Sequence, residues 1–119
     1  MEKIYEQTML FDFYGELLTE HQRSIYEDAV YNDMSLGEIA QDRGISRQGV
    51  HDLIKRCDKI LQDYESKLHL VERFAKAKVT VGEIEELTRM AEGMMQHPEQ
   101  MSERLETIKK LAGELLEEL

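Results

Sequence analysis

The chain has 119 residues, a formal net charge of −10, one cysteine and one proline, a length that suits one compact domain with or without an appendage. The single cysteine excludes an internal disulfide and suits a reducing compartment. No apolar run approaches the roughly 18 residues that a membrane span needs, and the acidic N-terminus lacks the apolar core of a secretory signal. We therefore expect a cytoplasmic protein without a membrane span.

The negative charge is unevenly distributed along the chain. Residues 1–34 hold eight acids and two bases, residues 35–60 hold four acids and five bases, and residues 61–119 hold thirteen acids and eight bases. Nucleic-acid-binding proteins usually show a basic footprint, because the release of counterions from phosphates supplies much of their affinity. The near-neutral middle block permits contact with DNA but predicts little non-specific affinity.

Two helices are predicted before this middle block. Apolar residues at helical spacing predict a first helix over residues 2–17. Thr19 and Gln22 have the spacing of a capping box, which would open a second helix. The polar residues 31–33 are predicted to end it. With seven glycines, one proline and almost no β-branched alternation, the whole chain is predicted to be all-α.

Residues 35–56, SLGEIAQDRGISRQGVHDLIKR, have the pattern of a helix-turn-helix. Ser35 and Glu38 are spaced as a capping box for the first motif helix. Gly44 falls at the turn, where a positive φ costs glycine little. Ser46 is predicted to cap the second motif helix. In DNA-binding proteins of this design the second helix lies in the major groove.

The second motif helix is predicted to be long. Its apolar stripe passes Arg56 without a stop signal and continues to about Leu68. Cys57 lies on this stripe, so we expect a buried structural thiol. An extension beyond the groove-reading part indicates that the helix packs against another element.

The last third of the chain is predicted to form a helical hairpin. Thr80 and Glu83 match a third capping box, and the pair His97-Pro98 marks a break before the terminal helix. The terminal helix carries apolar residues at three- and four-residue intervals up to Leu119. We therefore predict a helix-turn-helix domain over residues 1–65 and a C-terminal hairpin over residues 66–119 that serves oligomerisation or packing.

The segment from Leu18 to Leu61, LTEHQRSIYEDAVYNDMSLGEIAQDRGISRQGVHDLIKRCDKIL, resembles region 4 of the bacterial sigma factors. With the N-terminal IYEQTMLFDFYGELLTEHQ and the helical tail, the whole chain is similar to the YlxM family, small helix-turn-helix proteins of Gram-positive bacteria. This resemblance implies genes that lie beside those of the signal recognition particle and its receptor, and a regulatory role in that pathway. No polymerase-binding region 2 is present, so the chain is not a sigma factor.

The motif and the resemblance place polar side chains of the second motif helix at the groove surface. The candidate nucleic-acid-binding residues are Arg47, Gln48, His51, Lys55 and Arg56. Arg47 and Gln48 suit guanine and adenine edges, whereas Asp52, in the same region, could pair only with an amino donor such as that of cytosine. Gly49 also departs from the pattern, because it costs about 1 kcal/mol relative to alanine in a helix.

Two functions are compatible with these observations. The first is a regulatory, DNA-binding protein of the signal recognition particle pathway. The second is a module that binds the protein or RNA of that particle and does not bind DNA. Methionines near the hairpin loop motivate it, although methionines in such positions more often fill a core or a dimer interface. The methionines near the hairpin loop are Met90, Met94, Met95 and Met101. We expect a homodimer through the helices after residue 57, which is compatible with both functions.

An enzymatic function fits the sequence poorly. The four histidines are scattered, and the sequence contains no HExxH, Walker A or GxSxG motif. One cysteine cannot form a zinc cluster. We therefore expect no catalytic activity, no cofactor and no metal site.

Overall fold

The computed structural model describes residues 3–118, and this part of the chain is all-α, as the sequence predicted. Glu2 and Leu119, which the sequence predicts to belong to the first and last helices, lie outside the described residues. A short 3-10 helix (Gly15–Leu17) follows the first α-helix. The α-helices are α1 (Lys3–Tyr14), α2 (Glu20–Val30), α3 (Leu36–Arg43), α4 (Arg47–Leu68), α5 (Leu70–Gly93) and α6 (Pro98–Glu118).

The chain divides into two compact units, the first ending at Val71 and the second beginning at Glu72. The first unit holds α1 to α4 and the first residues of α5. The second holds the remainder of α5 and all of α6. None of the helices within residues 3–118 is long and apolar enough to cross a membrane.

Both predicted capping boxes of the first unit are confirmed. The Thr19 hydroxyl accepts from Gln22 N at 3.2 Å, and the Gln22 side chain accepts from Thr19 N at 3.0 Å. Ser35 and Glu38 exchange the same pair of hydrogen bonds, both at 3.1 Å. Each box satisfies two amides that have no partner inside the helix, and so fixes where α2 and α3 begin.

The turn of the helix-turn-helix is also formed as predicted. Gly44 has φ +68° and ψ 32°, the left-handed conformation that ends α3. Ile45 N then donates to Ala40 O at 3.1 Å. The Ser46 hydroxyl accepts from Gly49 N at 2.9 Å and caps α4.

The core of the first unit is arranged along α4. Near its start, α4 packs against α2 and α3 through the buried residues Ile25, Ile39, Ala40 and Val50. Further along, it packs against α1 and α2 through Leu10, Tyr14, Leu18, Tyr26, Cys57 and Leu61. The length of α4 is thus explained, since its second half is the surface on which α1 is buried. Cys57 is fully buried there, as predicted.

The junction between α4 and α5 is held by side chains from distant parts of the first unit. His69 adopts a left-handed conformation with φ +57° and ends α4. The Tyr14 hydroxyl accepts from Leu70 N at 3.1 Å and donates to the Glu65 carboxylate at 2.5 Å. The same Glu65 oxygen accepts from Val71 N at 3.0 Å. These contacts satisfy the first amides of α5.

One prediction for the second unit is wrong, and this unit has a small core. Thr80 does not open a helix: it lies inside α5 and its hydroxyl donates to Lys76 O at 3.2 Å. The predicted break is confirmed, because residues 94–97 form a turn and α6 begins at Pro98. Ala91 is the one buried residue that the structure describes in this unit. The half-buried apolar residues of this unit are Ala77, Ile84, Leu87, Met90, Met94, Met101, Ile108, Leu111, Ala112 and Leu115.

Candidate nucleic-acid interface

The inner side of the start of α4 packs against the core, and this packing determines which of its side chains face solvent. Ser46 caps the helix, and Val50 is fully buried against Ile25 and Ile39. At 3.6 residues per turn, side chains about half a turn from Val50 point away from the core, and His51, a little over a quarter of a turn from Val50, borders them. We call this the outer face of α4; its members are Gln48, His51, Asp52, Lys55 and Lys59, and all five are exposed.

The structure brings three of the five candidate residues together. Gln48, His51 and Lys55 lie on the outer face within about a sixth of a turn. Arg47 and Arg56 are exposed but lie nine residues apart, which puts them about half a turn from each other on opposite flanks of the helix. The candidate set therefore consists of one shared face and two flanking guanidinium groups.

Arg47 reaches back across the first motif helix. A Cβ built on Gly37 would lie 3.0 Å from Nη2 and 3.2 Å from Nε of Arg47. The missing side chain of Gly37 thus leaves room for the guanidinium group over the start of α3. Arg47 consequently stands at the seam between the two motif helices, where the sequence pattern alone did not place it.

Asp52 lies in the middle of the outer face and holds a neighbouring side chain. The Gln48 Nε2 atom donates to Asp52 Oδ1 at 2.9 Å. His51 Nδ1 lies 3.9 Å from the same oxygen. The Asp52 side chain is 57% exposed, so its charge is presented to solvent beside Lys55. An acidic group at this place lowers the attraction of the face for phosphate.

Lys59 is a further basic member of the outer face that the sequence reasoning missed. It follows Lys55 by one helical turn and is exposed. The i, i+4 spacing of the two lysines places them as neighbours on the helix surface. The same helical periodicity predicts that Lys59 is exposed, but the motif that defined the candidate residues ends at Arg56.

Arg43 is basic and lies in the motif, but it belongs to the scaffold. Its guanidinium donates to the Ser24 hydroxyl at 2.6 Å and to Asp28 Oδ2 at 2.7 Å. Hydrogen bonds from Asn32 and from Arg43 lower the pKa of Asp28. This ion pair ties the end of α3 to α2, and so fixes the first motif helix against the core.

Asp58, the next acidic residue of α4, is directed inward. Its Oδ1 atom accepts from the Tyr26 hydroxyl at 2.5 Å and from Gln7 Nε2 at 3.0 Å. Burial and the hydrogen bond to Asp58 raise the pKa of Tyr26 far above its ordinary value. Burial likewise raises the pKa of the neighbouring Cys57 thiol to about 11. Asp58 thus belongs to the packing of α1 and α2 against α4 and not to the outer face.

The capped α3, the left-handed Gly44 turn and the capped α4 define the class of helix-turn-helix proteins. Within this class, the chain belongs to the family described as "Putative helix-turn-helix protein, YlxM / p13 like", whose model matches residues 1–111. The resemblance to the YlxM family is thereby confirmed. UPF0122 proteins of Bacillus thuringiensis (strain Al Hakam), Bacillus cereus (strain Q1) and Bacillus anthracis (strain A0248) are each 40% identical over 111 residues, which cover 93% of this chain and 98% of each relative.

Proposed function

We propose that the protein is a regulatory helix-turn-helix protein that binds duplex DNA through the outer face of α4. The observation that carries the proposal is the exposed cluster of Gln48, His51 and Lys55 on a helix whose opposite side is fixed by Val50. In helix-turn-helix complexes the N-terminal residues of such a helix contact base edges in the major groove.

The residues of this region divide into two roles. Gln48 and Arg47 carry the hydrogen-bonding groups suited to bases, whereas Lys55 and Lys59 suit phosphates as compact positive charges. Arg56, on the flank, adds a further phosphate contact. With five bases and four acids in residues 35–60, we expect the affinity for arbitrary DNA to be low.

The test is a mobility-shift titration of the full chain with a duplex from upstream of its own gene, at several salt concentrations. Lys55→Glu places a negative charge on the outer face, and we expect at least a tenfold loss of affinity. Lys67→Glu is the matched control, because Lys67 is exposed on the same helix about 18 Å further along its axis. Absence of a wild-type complex even at about 50 mM salt, or equal losses in both variants, would refute the proposal.

The proposal includes a homodimer formed through the helices after residue 57. The second unit supports it, because Ala91 is buried there while Val79, Leu105 and Leu116 are between 52% and 74% exposed. A second copy could cover these side chains and present two α4 helices to successive major grooves, about 34–36 Å apart. Sedimentation equilibrium tests this, and a monomer at all concentrations would contradict it.

A second candidate function is binding to the protein or RNA of the signal recognition particle, without DNA binding. The methionines near residues 94–97 favour it: Met95 is 70% exposed, and Met90, Met94 and Met101 are half-buried. Flexible thioether side chains adapt readily to a partner surface. Pull-down with the GTPase of the particle, with and without its RNA, separates the two functions. In both, the protein works in the cytoplasm and no residue is assigned a catalytic role.

A further inference from the structure

We infer that Gln48 and Asp52 form one hydrogen-bond-accepting element that selects an exocyclic amino group, foremost cytosine N4, in the major groove. The inference rests on the proposed binding of duplex DNA and adds to it the base that this face selects. It assigns a role to Asp52, which the sequence pattern identified as a departure from a DNA-binding surface.

The geometry of the two side chains decides what they offer to a ligand. Gln48 and Asp52 are four residues apart on α4, both are exposed, and Gln48 Nε2 donates to Asp52 Oδ1 at 2.9 Å. The amide nitrogen is therefore turned toward the carboxylate, and the amide oxygen is presented away from it. The carboxylate has about four lone-pair sites, of which Gln48 uses one. The pair thus presents acceptors from both side chains.

This arrangement changes what Gln48 can read. A free glutamine recognises adenine with two hydrogen bonds, accepting from N6 and donating to N7. In this protein the Gln48 amide nitrogen gives one of its two hydrogens to Asp52. The bond also holds the Asp52 carboxylate beside the amide, where it would face adenine N7, itself an acceptor, and that placement of two acceptors is unfavourable. The adenine preference expected for an isolated Gln48 is therefore weakened.

Cytosine is the base that best matches a pair of side chains in which acceptors predominate. In the major groove cytosine presents the N4 amino donor and no acceptor of its own, whereas guanine and thymine present the acceptors O6, N7 and O4. The guanine paired with that cytosine presents only the acceptors O6 and N7 in the major groove. The cytosine amino group is therefore the only donor that a C·G pair offers to the carboxylate.

Asp52 also lowers the affinity for DNA that lacks this base. Its carboxylate is exposed beside His51 and Lys55, and it repels phosphate unless the amino group of a base donates to it. A purely electrostatic role would lower the affinity for all sequences alike. A base-reading role changes the preference at one position of the site. The two roles are therefore separable by experiment.

The experiment is selection from a randomised duplex library, followed by anisotropy titrations with the selected duplex. It uses the full chain as wild type, as Asp52→Asn and as Asp63→Asn. Asp52→Asn keeps the shape but removes the charge and adds a donor. Asp63→Asn is the matched control, since Asp63 is exposed about three turns further along nearly the same side of α4.

We expect the wild type to select cytosine at one position, and replacement of that C·G pair to weaken binding about tenfold. Asp52→Asn should lose this preference at that position alone and bind random duplex several-fold more tightly. Asp63→Asn should retain the wild-type selection. An unchanged cytosine preference in Asp52→Asn, tighter binding with an unchanged preference, or the same loss in Asp63→Asn would overturn the inference.

The outcome also distinguishes this inference from the proposed function. If the wild type retains no duplex from the library at low salt, the DNA-binding function itself fails and the inference fails with it. If the wild type selects a site that Asp52→Asn selects equally, DNA binding stands and the role of Gln48 and Asp52 is refuted.

Discussion

At the scale of single residues, the environment of Asp58 shows how α4 keeps one of its acids away from the outer face. The hydroxyl of the fully buried Tyr26 donates to Asp58 at 2.5 Å, and Gln7 donates to the same oxygen. Both partners come from helices that pack on the inner side of α4. The carboxylate is therefore part of the core boundary, and its charge is matched by two donors.

Replacement of Tyr26 by phenylalanine removes one of these donors. We expect Tyr26→Phe to lower the free energy of unfolding by about 2 kcal/mol at pH 7, the range for a hydrogen bond to a charged group. Urea unfolding followed by circular dichroism measures this loss. Tyr5→Phe is a suitable control, because Tyr5 is 50% exposed, and its effect should be close to zero.

The same residue gives a pH dependence with a defined sign. Folding raises the pKa of Tyr26 above its ordinary 10.0, so the folded protein holds this proton more tightly than the unfolded chain. The stabilisation is complete below pH 10 and is lost as the pH rises further. The wild type should therefore lose stability above pH 10 more steeply than Tyr26→Phe does. Parallel losses in the two proteins would show that Tyr26 does not contribute.

At the scale of elements, two glycines allow the effect of backbone conformation on stability to be measured without a steric clash. Gly44 has φ +68° and nothing lies within 4 Å of a Cβ built on it, so any cost of substitution is conformational. Gly82 lies inside α5, also with open space around it. Gly44→Ala should cost about 1–2 kcal/mol, whereas Gly82→Ala should stabilise by up to about 1 kcal/mol. Thermal unfolding of both variants checks the prediction, and equal signs would contradict it.

The elements that were predicted correctly are those whose ends are set by neighbouring residues. Thr19 with Gln22, Ser35 with Glu38, and Gly44 each act within a few residues, so the sequence alone contains their signal. Thr80 with Glu83 has the same local pattern, but α5 runs through it. A capping motif favours a helix start at its own position, but it does not prevent an existing helix from continuing. Here the helix that begins at Leu70 continues through Thr80.

The candidate site was predictable to a similar extent. Helical periodicity identified the exposed residues of α4, because exposure follows from spacing relative to Val50. Periodicity could not reveal the hydrogen bond from Gln48 to Asp52, because both side chains can adopt other rotamers. Nor could it place Arg47 over Gly37, because that contact depends on the crossing of α3 and α4.

The start of α5 depends on contacts that no local pattern encodes. Tyr14 lies 56 positions before Leu70, yet its hydroxyl accepts from the Leu70 amide. Tyr14→Phe removes this acceptor and the donor to Glu65, so we expect the amides of Leu70 and Val71 to exchange hydrogen about five- to tenfold faster. Amides in the middle of α3 serve as the internal control. Unchanged exchange at Leu70 would mean that water replaces the hydroxyl without loss.

At the scale of the whole molecule, the charge distribution determines how binding should respond to salt. The chain carries −10 overall, while residues 35–60 carry five bases and four acids. Exposed charges more than about 8 Å apart are largely screened at 0.15 M salt. The response to salt near physiological conditions should therefore report the basic residues beside the DNA, and the distant acids should contribute little.

This argument predicts a shallow salt dependence that can be assigned to particular lysines. Lys55, Arg56 and Lys59 allow about three phosphate contacts, so the slope of log K against log salt should be no steeper than about −3. Lys55→Gln removes one contact and should reduce the slope by about 0.9. Lys67→Gln, about 18 Å further along α4, should leave it unchanged. Anisotropy titrations between 50 and 200 mM salt measure all three slopes, and an equal reduction in both variants would place the DNA elsewhere on the protein.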